Sequence, residues 1–153
     1  MLLEFVADLY PNSSLLPEDP VQRAKARSFI DTVTNKFVPN FAGAVFRGEP
    51  ADIILKGVEA IQELLPAEGF AIGQDYTIAD ASIAPFVARV RLVLKNDFGA
   101  FKEGEGKKAF ISLDEDPKYE RFRKYFQDLT DRPSFKATFD EVCRCTLDNK
   151  GLD

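Results

Sequence analysis

The segment GQDYTIADASIAPFVARVRLVL, from Gly73 to Leu94, constrains the fold more than any other part of this chain. Thr77 stands three residues ahead of Asp80, and Ile83, Val87, Val90 and Leu94 then recur at helical spacing on one face. A Thr three residues before an acid is a capping-box pattern. The hydroxyl accepts from the N–H of the third helical residue, and the carboxylate reaches back to the N–H of the capping residue. Asp is shorter than the usual Glu or Gln, so the local geometry must be tight. The carboxylate also lies at the positive end of the helix dipole. We therefore read Thr77 and Asp80 as a structural capping box at the start of a covered helix. The competing reading makes Asp80 a catalytic acid.

The rest of the chain repeats the helical period. Asp19 is an N-cap and Pro20 takes the first helical position, where its missing N–H costs nothing. Ala26, Ile30, Val33, Phe37 and Phe41 follow on one stripe, with Pro39 expected to kink it. A second helix runs from about Ala51 with Ile54, Val58, Ile61 and Leu65 inward, ending at Pro66 and Gly69. Pro85 is expected to bend the helix that begins at Thr77. The stretch DFGAFKEGEGKKAFISLDED reads as a loop with at most one short helix. Tyr119, Phe122, Phe126 and Leu129 form another stripe. The last helix starts near Pro133, with Phe135, Phe139 and Val142 inward. No two-residue alternation suggests a strand. The fold class is all-α, a bundle of five principal helices and a short extra one.

Composition narrows the function. The net charge of −5 argues against a nucleic-acid partner, since phosphate contacts need clustered Lys and Arg. No apolar run approaches the roughly 20 residues needed to cross a bilayer, so no membrane role is expected. MLLEFVADLY carries two acids and no basic start, unlike a secretory signal. The chain has no histidine, which removes Ser-His and Cys-His nucleophiles and the common zinc sites. Cys143 and Cys145, two apart on a helix, point to different faces and make neither a disulfide nor a metal site. No metal is expected, and a reducing, cytoplasmic setting fits best. KEGEGKK lacks the preceding strand and the spacing of a phosphate loop.

Three segments in order carry a family resemblance. FAIGQDYTIADASIAPFVARV resembles the start of the central core helix of cytosolic glutathione S-transferases. SSLLPEDPVQRAKARSFID looks like that family's entry into its all-helical C-terminal domain, and YFQDLTDRPSFKATFDE like its closing pair of helices. Residues 15–153 thus resemble the whole C-terminal domain. Residues 1–14 look like the last helix of the family's thioredoxin-like domain plus the linker.

The resemblance implies a division of labour. In the family, the thioredoxin-like domain binds glutathione and stabilises its thiolate, so no catalytic residue is assigned here. The helical domain supplies the pocket for a small hydrophobic electrophile and part of a homodimer contact. The expected activity is glutathione conjugation or deglutathionylation, serving detoxification with glutathione as co-substrate. Whether this chain alone is an enzyme stays open. The alternatives are a non-catalytic hydrophobic-ligand-binding protein, or an assembly module as in translation elongation factor gamma-type subunits. Candidate pocket residues are Phe37, Phe41, Phe46, Phe98 and Phe101, each of which also fits the core. Asp31 and Arg27 are candidates to reach glutathione across the dimer; a solvated helix face, shared with Arg23, is the other reading. Removing a partner domain should expose apolar surface on the helix that starts at Pro20.

Overall fold

Among residues 2–139, which the computed structural model describes, every regular element is helical. The order is α1 (Leu2–Leu9), α2 (Pro20–Thr32), α3 (Val38–Arg47), α4 (Ile53–Gln62), α5 (Ile78–Asn96), α6 (Glu105–Glu115), α7 (Glu120–Thr130) and α8 (Pro133–Thr138). The expected Val142 stripe position and the cysteine pair, Cys143 and Cys145, lie outside the described residues. No helix is long and apolar enough to cross a membrane among the described residues.

The central element is α5, which packs against α1, α2, α6 and α7. It buries Ile83, Val87, Val90 and Leu94 together with Ile78 and Ala79. The helix runs through Pro85, which is exposed. Arg89 occupies that face one turn on and donates from Nη1 to the Pro85 carbonyl at 2.7 Å.

Two segments differ from the sequence reading. Pro39 produces a π-turn over Val33–Phe37 that joins α2 to α3. Pro39 has no N–H to donate, and the Val38 N–H reaches back five residues to the Val33 carbonyl. The chain stays helical on both sides, so Phe37 and Phe41 still turn inward. The second difference is α6, an eleven-residue helix in the segment read as mostly loop. Its amphipathic part, with Ala109 and Leu113 buried, is short, and glycines before it hide its start. The start is instead set from a distance. The Asp97 carboxylate accepts from the Gly104 N–H at 2.5 Å and the Gly106 N–H at 2.8 Å, filling the N-terminus of α6.

These N–H bonds, that from Gly104 first, hold the Asp97 carboxyl below its ordinary value of 3.8. The charged form is thus favoured in the folded chain. Its contribution is full above that ordinary value and is lost as pH falls through the lower folded value. Urea midpoints measured from about pH 5 down to pH 3 should fall, and fall less in Asp97→Asn, which tolerates the left-handed backbone at this position. An unchanged acid limb in that variant would show that the carboxylate does not organise this turn.

The α4–α7 contact is a polar latch laid over an apolar one. Gln62 donates to the Lys118 carbonyl at 2.7 Å and accepts from the Phe122 N–H at 3.0 Å. Glu59 accepts from both Lys118 Nζ at 2.7 Å and the Tyr119 hydroxyl at 2.8 Å. Those two bonds keep its carboxyl below the usual range. Arg121 clasps the loop after α4 through the carbonyls of Pro66 and Gly69. Behind the latch, Gly57 lets α4 close on the π-turn: a Cβ there would lie 3.3 Å from the Phe37 Cα.

Candidate functional site

The least satisfied surface belongs to α1. It buries Ala7 against the bundle, while Leu2 (76%), Phe5 (59%), Leu9 (57%) and Tyr10 (65%) face outward, with Val21 of α2 also exposed. Apolar side chains gathered on one face of one helix mark a surface built to be covered. The sequence reading placed this surface on the helix from Pro20. That helix instead buries Ala26, Phe29 and Ile30 and, apart from Val21 in its first turn, keeps a largely polar outer face. The signal that could have found α1 was its own pattern, since Leu2, Phe5, Val6 and Leu9 share a face.

Arg27 and Asp31 stand on the outer face of α2, one turn apart and exposed. Neither is without a neighbour. Arg27 Nε donates to Glu4 of α1 at 2.7 Å, and Asp31 accepts from Asn35 Nδ2 at 2.8 Å. The Arg27–Glu4 pair bridges α1 and α2 at the surface. Arg23 donates to the Glu18 carbonyl at 3.1 Å.

The five aromatics separate into two groups. Phe37 and Phe41 are buried and meet the ring of Phe86 edge-on, at centroid distances of 6.5 and 6.2 Å. Phe46 is 74% exposed at the end of α3. The loop holding Phe98 and Phe101 is tied to that same end, because the Ala100 N–H donates to the Val45 carbonyl at 2.9 Å. Phe98 is half-buried, and Phe101 is buried with its ring over Gly99 and Gly106. The structure thus ties the end of α3 that carries Phe46 to the loop of Phe98 and Phe101, and keeps Phe37 and Phe41 apart around Phe86.

The capping box forms with both arms in place. The Thr77 N–H donates to Asp80 Oδ2 at 2.8 Å, and the Thr77 hydroxyl accepts from the Ala79 N–H at 3.3 Å. The fully buried Asp80 does more than cap. Its Oδ1 also accepts from the Ala71 N–H at 2.8 Å and from the Tyr125 hydroxyl at 2.8 Å. Burial, then the charge of Asp80, push the Tyr125 hydroxyl well above its ordinary pKa. The carboxylate is fully buried, and its two oxygens are taken by donors from Ala71, Thr77 and Tyr125. Tyr125 was missed because its partner lies 45 residues away.

Comparison with known proteins agrees with this architecture. Residues 51–128 match the family model described as glutathione S-transferase, C-terminal domain. The chain belongs to the glutathione S-transferase family. Among solved structures, glutathione transferase Omega 1C from Trametes versicolor superposes with a TM-score of 0.87 at 46% identity, over 94% of this chain and 60% of that one. Omega 2S from the same organism, in complex with 2,4-dihydroxybenzophenone, gives 0.88 at 39% identity, over 97% and 64%. A curated relative, the probable maleylacetoacetate isomerase of Caenorhabditis elegans, is 32% identical over 99 residues, 56% of this chain and 46% of that protein. The chain spans about half the length of this curated relative and less than two thirds of the transferases. Glutathione transferase relatives imply glutathione as the co-substrate of the family to which this helical domain belongs.

Proposed function

We propose that this chain is the helical half of a glutathione transferase. Residues 1–14 are the end of a thioredoxin-like domain with its linker, and residues 15–153 are the acceptor-binding domain. The observation that carries this is the exposed apolar face of α1, formed by Leu2, Phe5 and Leu9 in a family whose matched members are longer. A thioredoxin-like half packs on that face and supplies glutathione and its thiolate. The helical half holds the hydrophobic electrophile for conjugation, or the mixed species for deglutathionylation. Its contribution is proximity and exclusion of water rather than proton transfer, consistent with a chain that has no histidine. Of the five candidate aromatics, Phe46 and Phe98 have surface to offer such an acceptor and Phe101 lies buried in the same loop as Phe98, while Phe37 and Phe41 serve the core around Phe86. In a cytoplasmic homodimer, Asp31 and Arg27 lie on an outer face from which they reach the partner's glutathione.

Calorimetric titration of this chain tests the reading. Free glutathione should give no measurable binding, and a hydrophobic conjugate such as S-hexylglutathione only weak binding. Tight binding of free glutathione to these 153 residues would overturn the split-site account. A second reading, ligand binding without turnover, is favoured by one observation: a matched transferase was solved with an aromatic ligand, 2,4-dihydroxybenzophenone. A full-length protein that binds such aromatics but conjugates no electrophile would support it.

A further inference from the structure

Arg132 lies between α7 and α8, where its guanidinium is stacked 3.8 Å from the ring centroid of Tyr76 and 5.6 Å from that of Phe70. Tyr76 and Phe70 meet edge-on at 5.6 Å, so the two rings form a rigid platform under the cation. Among the described residues no carboxylate pairs with this guanidinium, and its Nε is buried with no hydrogen-bond partner. Asp80, the nearest acid acting on Tyr76, is consumed by its own four donors. Every other arginine from Arg23 to Arg123 in the described chain makes a hydrogen bond. An orphaned buried N–H donor is costly unless something completes it.

Arg132 also lines a cavity of about 320 Å³, whose other walls include Tyr76, Ala84, Leu129 and Phe135. That volume is at the lower end of the roughly 300–1,000 Å³ range of ligand sites. One end is thus a planar cation whose Nε has no partner among the described residues, and the remainder is mainly apolar and aromatic surface with Ser134 and Thr138 at its edge. The geometry points to a binding site for a small amphipathic carboxylic acid, its carboxylate on the Arg132 guanidinium and its apolar body against Ala84, Leu129 and Phe135. Guanidinium matches carboxylate as a two-pronged fork, and the stacking on Tyr76 holds that fork flat before the ligand arrives. This site is separate from the Phe46 and Phe98 region and does not depend on the split-transferase reading.

The test uses 1-naphthoate as the acid and 1-naphthamide as its uncharged isostere, titrated into the full chain by calorimetry. The acid should bind at least tenfold more tightly than the amide. Arg132→Gln should weaken the acid at least tenfold and leave the amide unchanged, with Arg132→Lys intermediate because an ammonium lacks the fork. Arg91→Gln, whose parent side chain is paired with Asp114, should bind the acid as the unaltered chain does. Equal affinity for acid and amide, absence of acid binding, or unaltered acid binding by Arg132→Gln would each overturn the proposal. The acid-to-amide comparison needs no variant, so it decides even where Arg132→Gln fails to fold.

Discussion

Asp80→Ala is expected to lower the unfolding free energy by about 3–5 kcal/mol. The two N–H groups of Ala71 and Thr77 are fixed by the backbone, and both would lose their acceptor in a fully buried place. Each orphaned donor costs about 1–3 kcal/mol, whereas the hydroxyls of Thr77 and Tyr125 can rotate toward other acceptors. Against a typical total of roughly 5–15 kcal/mol, such a loss brings the domain close to unfolding. Thermal melts followed by circular dichroism should show a drop on the order of 10 °C. Tyr125→Phe removes one hydroxyl bond only and should cost about 1 kcal/mol. A double-mutant cycle between the two should show clear coupling, since they share one hydrogen bond. An Asp80→Ala chain within about 1 kcal/mol of the parent would mean that the carboxylate does not hold this junction together.

Phe37→Ala is the second large effect. The ring is fully buried, meets Phe86 edge-on and lies against the Gly57 backbone. Deleting it leaves a cavity that the π-turn and α4 cannot close, because their backbones are already in contact, and the expected loss is about 3–5 kcal/mol. Phe46→Ala, at an exposed position, should change stability by less than about 0.5 kcal/mol. The pair separates packing from ligand contact. Denaturant midpoints should fall only for Phe37, whereas affinity for S-hexylglutathione should respond to Phe46 with no change in stability. A Phe37→Ala variant as stable as Phe46→Ala would place the ring outside the core.

The same physics explains what could be read in advance. Asp19 with Pro20, and Thr77 with Asp80, are local signals: each side chain bonds to backbone within three residues, so spacing alone fixes the geometry. The inward stripes of α2, α4, α5 and α7 are equally local, because a helical period puts the apolar residues on one side whatever they later meet. The all-helical class followed from these, and the order of three such segments pointed to the family that the comparisons show. The sequence by itself therefore determined the helices from α2 to α5 and α7, which of their faces are apolar and where two of them begin.

The tertiary structure decided the rest, wherever the partner is distant along the chain. The length of α6 depends on Asp97 reaching the N–H groups of Gly104 and Gly106 across a loop. How deeply Phe37 is covered depends on Phe86 and on how α4 approaches the π-turn, neither of which the stripe specifies. Asp80 became the hub of a buried network only because Tyr125 arrives from α7 and Ala71 from the preceding loop. Arg132, which reads as one more surface charge, is set on Tyr76 and Phe70 by the packing of α7 and α8 beside α5. Spacing along a chain encodes contacts within a turn or two of helix; contacts between helices depend on which faces meet, and that is settled only when the whole core packs.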